Sequence, residues 1–86
     1  MKPFRWSKHQ RTEADRRGIP VSLVESVLAS PEQVVPKYGN TEVYQLRKEI
    51  GTRLYLNRAV VMEKGDERIV VTVYRTTKIS KYWRSE

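Results

Sequence analysis

The chain has no cysteine, one histidine (His9) and one phenylalanine among its 86 residues. Without cysteine there is neither a disulfide framework nor a thiolate metal site. One histidine with singly scattered carboxylates cannot assemble a tetrahedral zinc site, so no metal is expected. A P-loop, a GxGxxG turn and a paired-carboxylate site are also missing, and no small-molecule cofactor is expected. No apolar run approaches the ~20 residues of a membrane span, and none follows the charged start "MKPFRWSKHQRT". The expectation is a soluble, cytoplasmic protein with no membrane partner. Residues 1–86 read as one domain, burying only roughly 60–65% of the surface its unfolded chain exposes. So thin a core disfavours large internal pockets.

Acidic residues are in deficit: ten against seventeen Lys and Arg, a net charge of +7. The excess lies at the two ends. Lys2, Arg5, Lys8, Arg11, Arg16 and Arg17 outweigh Glu13 and Asp15 over the first seventeen residues, and Arg75, Lys78, Lys81 and Arg84 outweigh Glu86 over the last twelve. Positive charge segregated in this way attracts polyanions, which makes nucleic acid the leading partner class and solubility the alternative reading.

Ser7 is placed to cap a helix running to about Arg17, where Gly18 supplies a left-handed terminating residue. Pro20 precedes a second helix, with Ser22 and Glu25 at capping-box spacing and Leu23, Val24, Val27 and Leu28 as its apolar stripe, up to Pro31. Strand-like segments follow. "QVVPKY" reads as an edge strand because Pro36 cannot donate to a ladder. "EVYQLRKEI" alternates, with Tyr44, Leu46 and Ile50 on one face and Val43, Gln45, Arg47 and Glu49 on the other. "RLYLNRAVVME" and "RIVVTVYRT" flank "KGDE", a hairpin with a turn of three to five residues. Alternation assigns Leu54, Leu56, Ile69, Val71 and Val73 to a face under the helices. Arg53, Tyr55, Asn57, Thr72, Tyr74 and Thr76 fall on a polar and aromatic one. Arg58, Val61 and Val70 break that pattern, which suggests a bulge near Asn57. The expected fold is α+β: two N-terminal helices packed on one face of a four-stranded antiparallel sheet.

A helix-turn-helix is disfavoured, because "VSLVESVLAS" lacks side chains that read base edges and spends its apolar stripe on packing. Serine catalysis has no support in the spacing of His9. Metal-free cleavage of RNA needs little machinery: a base for the 2′-hydroxyl, cations for the phosphate and an acid for the leaving oxygen. Histidine suits proton transfer, arginine suits a phosphate clamp, and tyrosine donates or stacks. Each also has a plain reading, as a solvated helix residue, an exposed helix face or a cross-strand aromatic pair. Trp6 and "KYW" at 81–83 could equally serve to tie down the termini. The residues alone reach a basic α+β domain that binds RNA.

The first helix "SKHQRTEADRRGI", its Arg17-Gly18-Ile19 turn eight residues after His9, Pro31-Glu32 after the second helix and the closing "VVTVYRTTKISKYW" together resemble a small bacterial domain-of-unknown-function family related to RelE and BrnT toxin nucleases. The resemblance covers nearly the whole chain. It implies the metal-independent ribonuclease fold of barnase-like and RelE-like toxins, and a toxin-type endoribonuclease held inactive by a cognate antitoxin. It also implies catalytic roles for His9, Arg17, Tyr74 and Thr76. Glu13 stands where that family often has arginine, one turn from Arg17.

The expected activity is therefore endoribonucleolytic, by 2′-hydroxyl attack. His9 would transfer a proton, Arg17 with Arg47 or Arg53 would clamp phosphate, and Tyr74 would donate or stack. Lys8, Arg11, Arg47, Arg53, Tyr55, Arg75 and Lys78 are the candidate RNA contacts. The alternative is a non-catalytic module binding RNA or a protein partner on the same fold.

Overall fold

The computed structural model describes residues 4–84. Its elements run β1 (Phe4–Arg5), α1 (Lys8–Arg16), α2 (Val21–Ala29), β2 (Gln33–Pro36), β3 (Thr41–Ile50), β4 (Arg53–Lys64), β5 (Glu67–Thr76) and α3 (Ile79–Tyr82). The class is α+β, but the sheet has five strands in the order β1-β5-β4-β3-β2 and is mixed. The expected four-stranded antiparallel sheet is corrected by β1, which pairs parallel to β5 through Phe4↔Arg68 and Arg5↔Ile69. A two-residue strand carries no periodicity, so only the tertiary pairing reveals it. The short α3 was likewise not anticipated.

Ser7 caps α1 by accepting from the Gln10 amide at 3.1 Å. At the other end Gly18, with φ of 73°, donates to Asp15 while Ile19 donates to Ala14 at 2.9 Å. That pair of bonds is a Schellman closure, and its apolar clasp is made by the buried Ala14 and Ile19. Glu13 pairs with Arg16 at 3.2 Å rather than with Arg17. The expected capping box at Ser22 and Glu25 does not form, because the N-cap of α2 is Pro20 and has no side-chain cap.

Leu23, Val24, Val27 and Leu28 of α2 join Ala14 and Ile19 over Tyr44, Ala59, Val61, Val70 and Val73, with Phe4, Trp6, Leu46 and Ile50 around them. This is the main core. The β3–β4 register places Tyr44 opposite Ala59 and Leu46 opposite Asn57, and directly opposed residues share a face. Arg53, Tyr55, Asn57 and Ala59 therefore face the α1/α2 layer, whereas Leu54, Leu56, Arg58 and Val60 face away. The expected assignment of β4 is thus inverted. β4 is central and buried on both sides, with Asn57 on one face and Leu56 on the other both fully buried, so hydrophobicity does not mark which face meets the helices.

The bulge lies between Val60 and Val61 and leaves Val71 without a partner, since Val60 opposes Thr72 and Val61 opposes Val70. It sits three residues beyond Asn57, and it turns both Val70 and Val73 toward the core. The β4–β5 turn is two residues, Gly65-Asp66, shorter than expected, with Gly65 at φ 60°. Glycine at the first position of a two-residue turn matches the twist of the flanking strands.

A candidate nucleic-acid interface

The sheet face away from α1 and α2 is partly covered by the C-terminal segment, and two glutamines hold that segment down. Gln33 donates to the Arg84 carbonyl at 2.7 Å and accepts from the Arg84 amide at 3.1 Å. The fully buried Gln45 donates to Gln33 at 2.7 Å and to the Tyr82 carbonyl at 3.3 Å. Trp83 and Tyr82 are thereby laid against two arginines. The Arg47 guanidinium stacks 3.9 Å from the Trp83 ring centroid and forms an ion pair with Glu32 at 3.0 Å. That contact, together with the Arg47 amide donating to the same carboxylate at 2.8 Å, holds the Glu32 pKa below its ordinary value; the side-chain bond is the larger cause. Arg47 is correspondingly raised by the Glu32 bond.

Arg58 stands at the centre of this face. Its Nε donates to Gln45 Oε1 at 3.0 Å and its Nη1 donates to the Tyr74 hydroxyl. The guanidinium lies 4.2 Å from the Tyr82 ring centroid, and Tyr82 meets Tyr74 edge-to-face at 6.3 Å. No carboxylate pairs with Arg58 among the described residues, and Nη2 makes no hydrogen bond and is not buried. The arrangement is a cation fixed by neutral neighbours, with Nη2 left without a hydrogen-bond partner among the described residues. The Tyr74 hydroxyl accepts from Arg58, so its own proton remains available to donate. Lys78 at the α3 N-cap and Lys81 within α3 add positive charge beside it.

The anticipated residues distribute unevenly around this centre. Tyr74 belongs to it. Thr76 lies on the same face, but its hydroxyl accepts from the Lys78 amide at 3.1 Å and shapes the turn into α3. Arg17 stands at the free edge of β5, where Nη1 donates to the Val73 carbonyl at 2.7 Å and to Thr72 Oγ1 at 3.3 Å. His9 is exposed on α1, turned well away around the helix from the buried Ala14. It makes no hydrogen bond to Arg17 or Tyr74. Lys8 and Arg11 are exposed on the same helix, Arg11 lying 5.1 Å from the Trp6 ring centroid. Arg53, Tyr55 and Arg75 lie on the helix side of the sheet, with Arg75 4.8 Å from the Tyr55 ring centroid. The structure therefore divides the anticipated contacts between two faces and leaves His9 apart from Tyr74.

Arg58 was not anticipated as a contact, and Tyr82 was expected only as part of the "KYW" that ties down the terminus. Arg58 was one of three residues that broke the alternation of the hairpin, and a charged residue on an otherwise apolar face is the signal that could have found it. Tyr82 needed the path of the chain after β5, which no pattern gives.

The described residues hold no group of three or more His, Cys, Asp or Glu side chains placed to bind a metal ion. No described helix is long and apolar enough to cross a membrane.

Fold and surface together define a small α+β domain that presents an arginine–tyrosine cluster on the sheet face opposite its main helices. Residues 6–75 match the family described as a domain of unknown function, DUF4258, and the chain belongs to that family. No curated protein and no solved structure is significantly similar to it.

Proposed function

We propose that this domain binds single-stranded RNA on the sheet face opposite α1 and α2, with Arg58 as its central phosphate contact. The observation that carries the reading is the state of that guanidinium. Among the described residues it has no carboxylate partner, is held by Gln45, Tyr74 and Tyr82, and leaves Nη2 without a hydrogen bond. An arginine fixed without a counter-ion suits a phosphate that arrives from outside. Adjacent aromatic rings and a surrounding positive charge are what single-strand binding uses. NMR titration with an oligoribonucleotide tests it. Resonances of Arg58 Nε and of the Tyr74 and Tyr82 amides should shift while those around His9 stay in place. Shifts confined to α1 would contradict the reading.

A second reading is favoured by the Arg58–Tyr74 hydrogen bond. The pair supplies two of the three parts that metal-free cleavage by a neighbouring 2′-hydroxyl needs, the arginine stabilising charge on phosphate and the phenol protonating the leaving oxygen, while solvent water takes the 2′-hydroxyl proton. On this reading the domain is a cytoplasmic toxin-type endoribonuclease related to BrnT and RelE. Its cognate antitoxin would cover the same face with acidic side chains. His9, distant from the pair, plays no part in this form of the chemistry. Cleavage in the presence of a chelator should yield 2′,3′-cyclic phosphate ends, and Tyr74→Phe should slow it about 10²–10⁴-fold. RNA left uncut by the folded wild-type protein would rule out this reading and leave the binding one standing.

A further inference from the structure

On the opposite side of the sheet, a cleft of about 480 Å³ opens between the start of α2 and the ends of β3 and β5. Arg75, Lys48, Pro20, Ser22, Leu23 and Ile50 line it. Arg75 and Lys48 both project from this face, since Arg75 opposes Asn57 and Lys48 opposes Tyr55. Neither forms an ion pair with a described residue. Arg75 is steadied by lying 4.8 Å from the Tyr55 ring centroid, a contact that positions a guanidinium without neutralising it. Gly18 keeps the space beside it clear, because a Cβ there would come within 3.1 Å of Arg75 Nη2. Glu49 also borders the cleft, but strand alternation directs its side chain to the other face.

We propose that this cleft binds a phosphomonoester carried on a nucleoside-sized group, such as a nucleoside 5′-monophosphate or the 5′-phosphorylated end of an RNA. Two unpaired cations on one wall call for a ligand with more than one negative charge. A phosphomonoester carries about −1.5 to −2 at neutral pH, and a carboxylate carries one. The arginine fork takes two phosphate oxygens and the lysine a third. The volume falls within the range of small-ligand sites and is too large for phosphate alone. The apolar Pro20, Leu23 and Ile50, with the Ser22 hydroxyl, are suited to sugar and base. The wider groove beside β1 lacks this character: there Arg5 is taken by Glu67 at 2.9 Å, Arg11 lies on Trp6, and Asp66 adds negative charge.

The proposal stands independently of RNA binding on the Arg58 face, and separate variants distinguish the two. Calorimetric titration of the full-length protein with uridine 5′-monophosphate, uridine and inorganic phosphate measures it, alongside 5′-phosphorylated and 5′-hydroxyl oligoribonucleotides. The monophosphate should bind more tightly than uridine or inorganic phosphate. Arg75→Gln and Lys48→Gln should each weaken it, the former about tenfold or more, while Lys37→Gln, at an exposed cation between β2 and β3, leaves it unchanged. Thermal melts of each variant separate lost binding from lost folding. In the Arg58→Gln protein, tighter binding of the 5′-phosphorylated than of the 5′-hydroxyl oligomer identifies an RNA end as the ligand; equal binding of the two identifies the free nucleotide. Monophosphate affinity equal to that of uridine, or undiminished in folded Arg75→Gln and Lys48→Gln proteins, would overturn the proposal.

Discussion

Arg17 Nη1 lies 2.7 Å from the Val73 carbonyl oxygen and so satisfies a backbone acceptor on the free edge of β5. Among the described residues β1 pairs with β5 at Arg68 and Ile69, and beyond Ile69 an arginine from the end of α1 does part of the work of a strand. Arg17→Ala should destabilise the fold by about 1–3 kcal/mol, the range for losing a charged hydrogen bond to a part-buried group. Urea denaturation checks this. An unchanged midpoint would show that Arg17 is free for another role.

The turn after α1 depends on Gly18, whose φ of 73° lies in the left-handed region. Gly18→Ala should cost about 1–2 kcal/mol from backbone strain alone. The added Cβ, 3.1 Å from Arg75 Nη2, should also displace that guanidinium. Thermal denaturation reads the first effect and the Arg75 Nε resonance the second.

Glu32 confers an acid sensitivity whose sign follows from its depressed pKa. Its carboxylate is stabilised in the folded state by the Arg47 side chain and then by the Arg47 amide. The resulting stability is fully present above the ordinary value of 4.5 and is lost as pH falls through the lower folded value. Both side chains are partly exposed, so salt should weaken the effect. Wild type should lose more stability than Glu32→Gln on acidification below pH 4.5. Parallel pH profiles would contradict this.

Much of the fold could be read from local patterns. Ser7, Gly18, the apolar stripe of α2, the edge position of Pro36 and the β4–β5 hairpin all follow from propensity and periodicity over a few residues. What stayed hidden depends on contacts between distant segments. Phe4–Arg5 becomes a strand only because β5 offers it an edge. Leu56 and Asn57 are both fully buried on opposite faces of β4, so alternation there could not distinguish the helix side. That one ambiguity displaced Tyr55 and Arg53 to the wrong face and obscured Arg58. Of the anticipated catalytic set only Tyr74 lies in the arginine–tyrosine cluster, because His9 was placed by its helix and Tyr74 by its strand with no information on how the two faces relate.

The His9 side chain is exposed on α1. His9→Ala should leave stability within about 0.5 kcal/mol of wild type and RNA affinity unchanged. Lost affinity in a folded His9→Ala protein would move the interface to α1.

The central claim rests on Arg58, and the most direct measurement is the affinity of a single-stranded oligoribonucleotide for wild type and Arg58→Gln across a range of salt. Wild-type affinity should fall with salt with a slope of about −0.7 per phosphate contact. Arg58→Gln, shown to be folded by urea denaturation, should bind about tenfold more weakly or worse, with the slope reduced by about 0.7. Equal affinity and slope for the two proteins, or no salt-dependent binding by the wild type, would contradict the account.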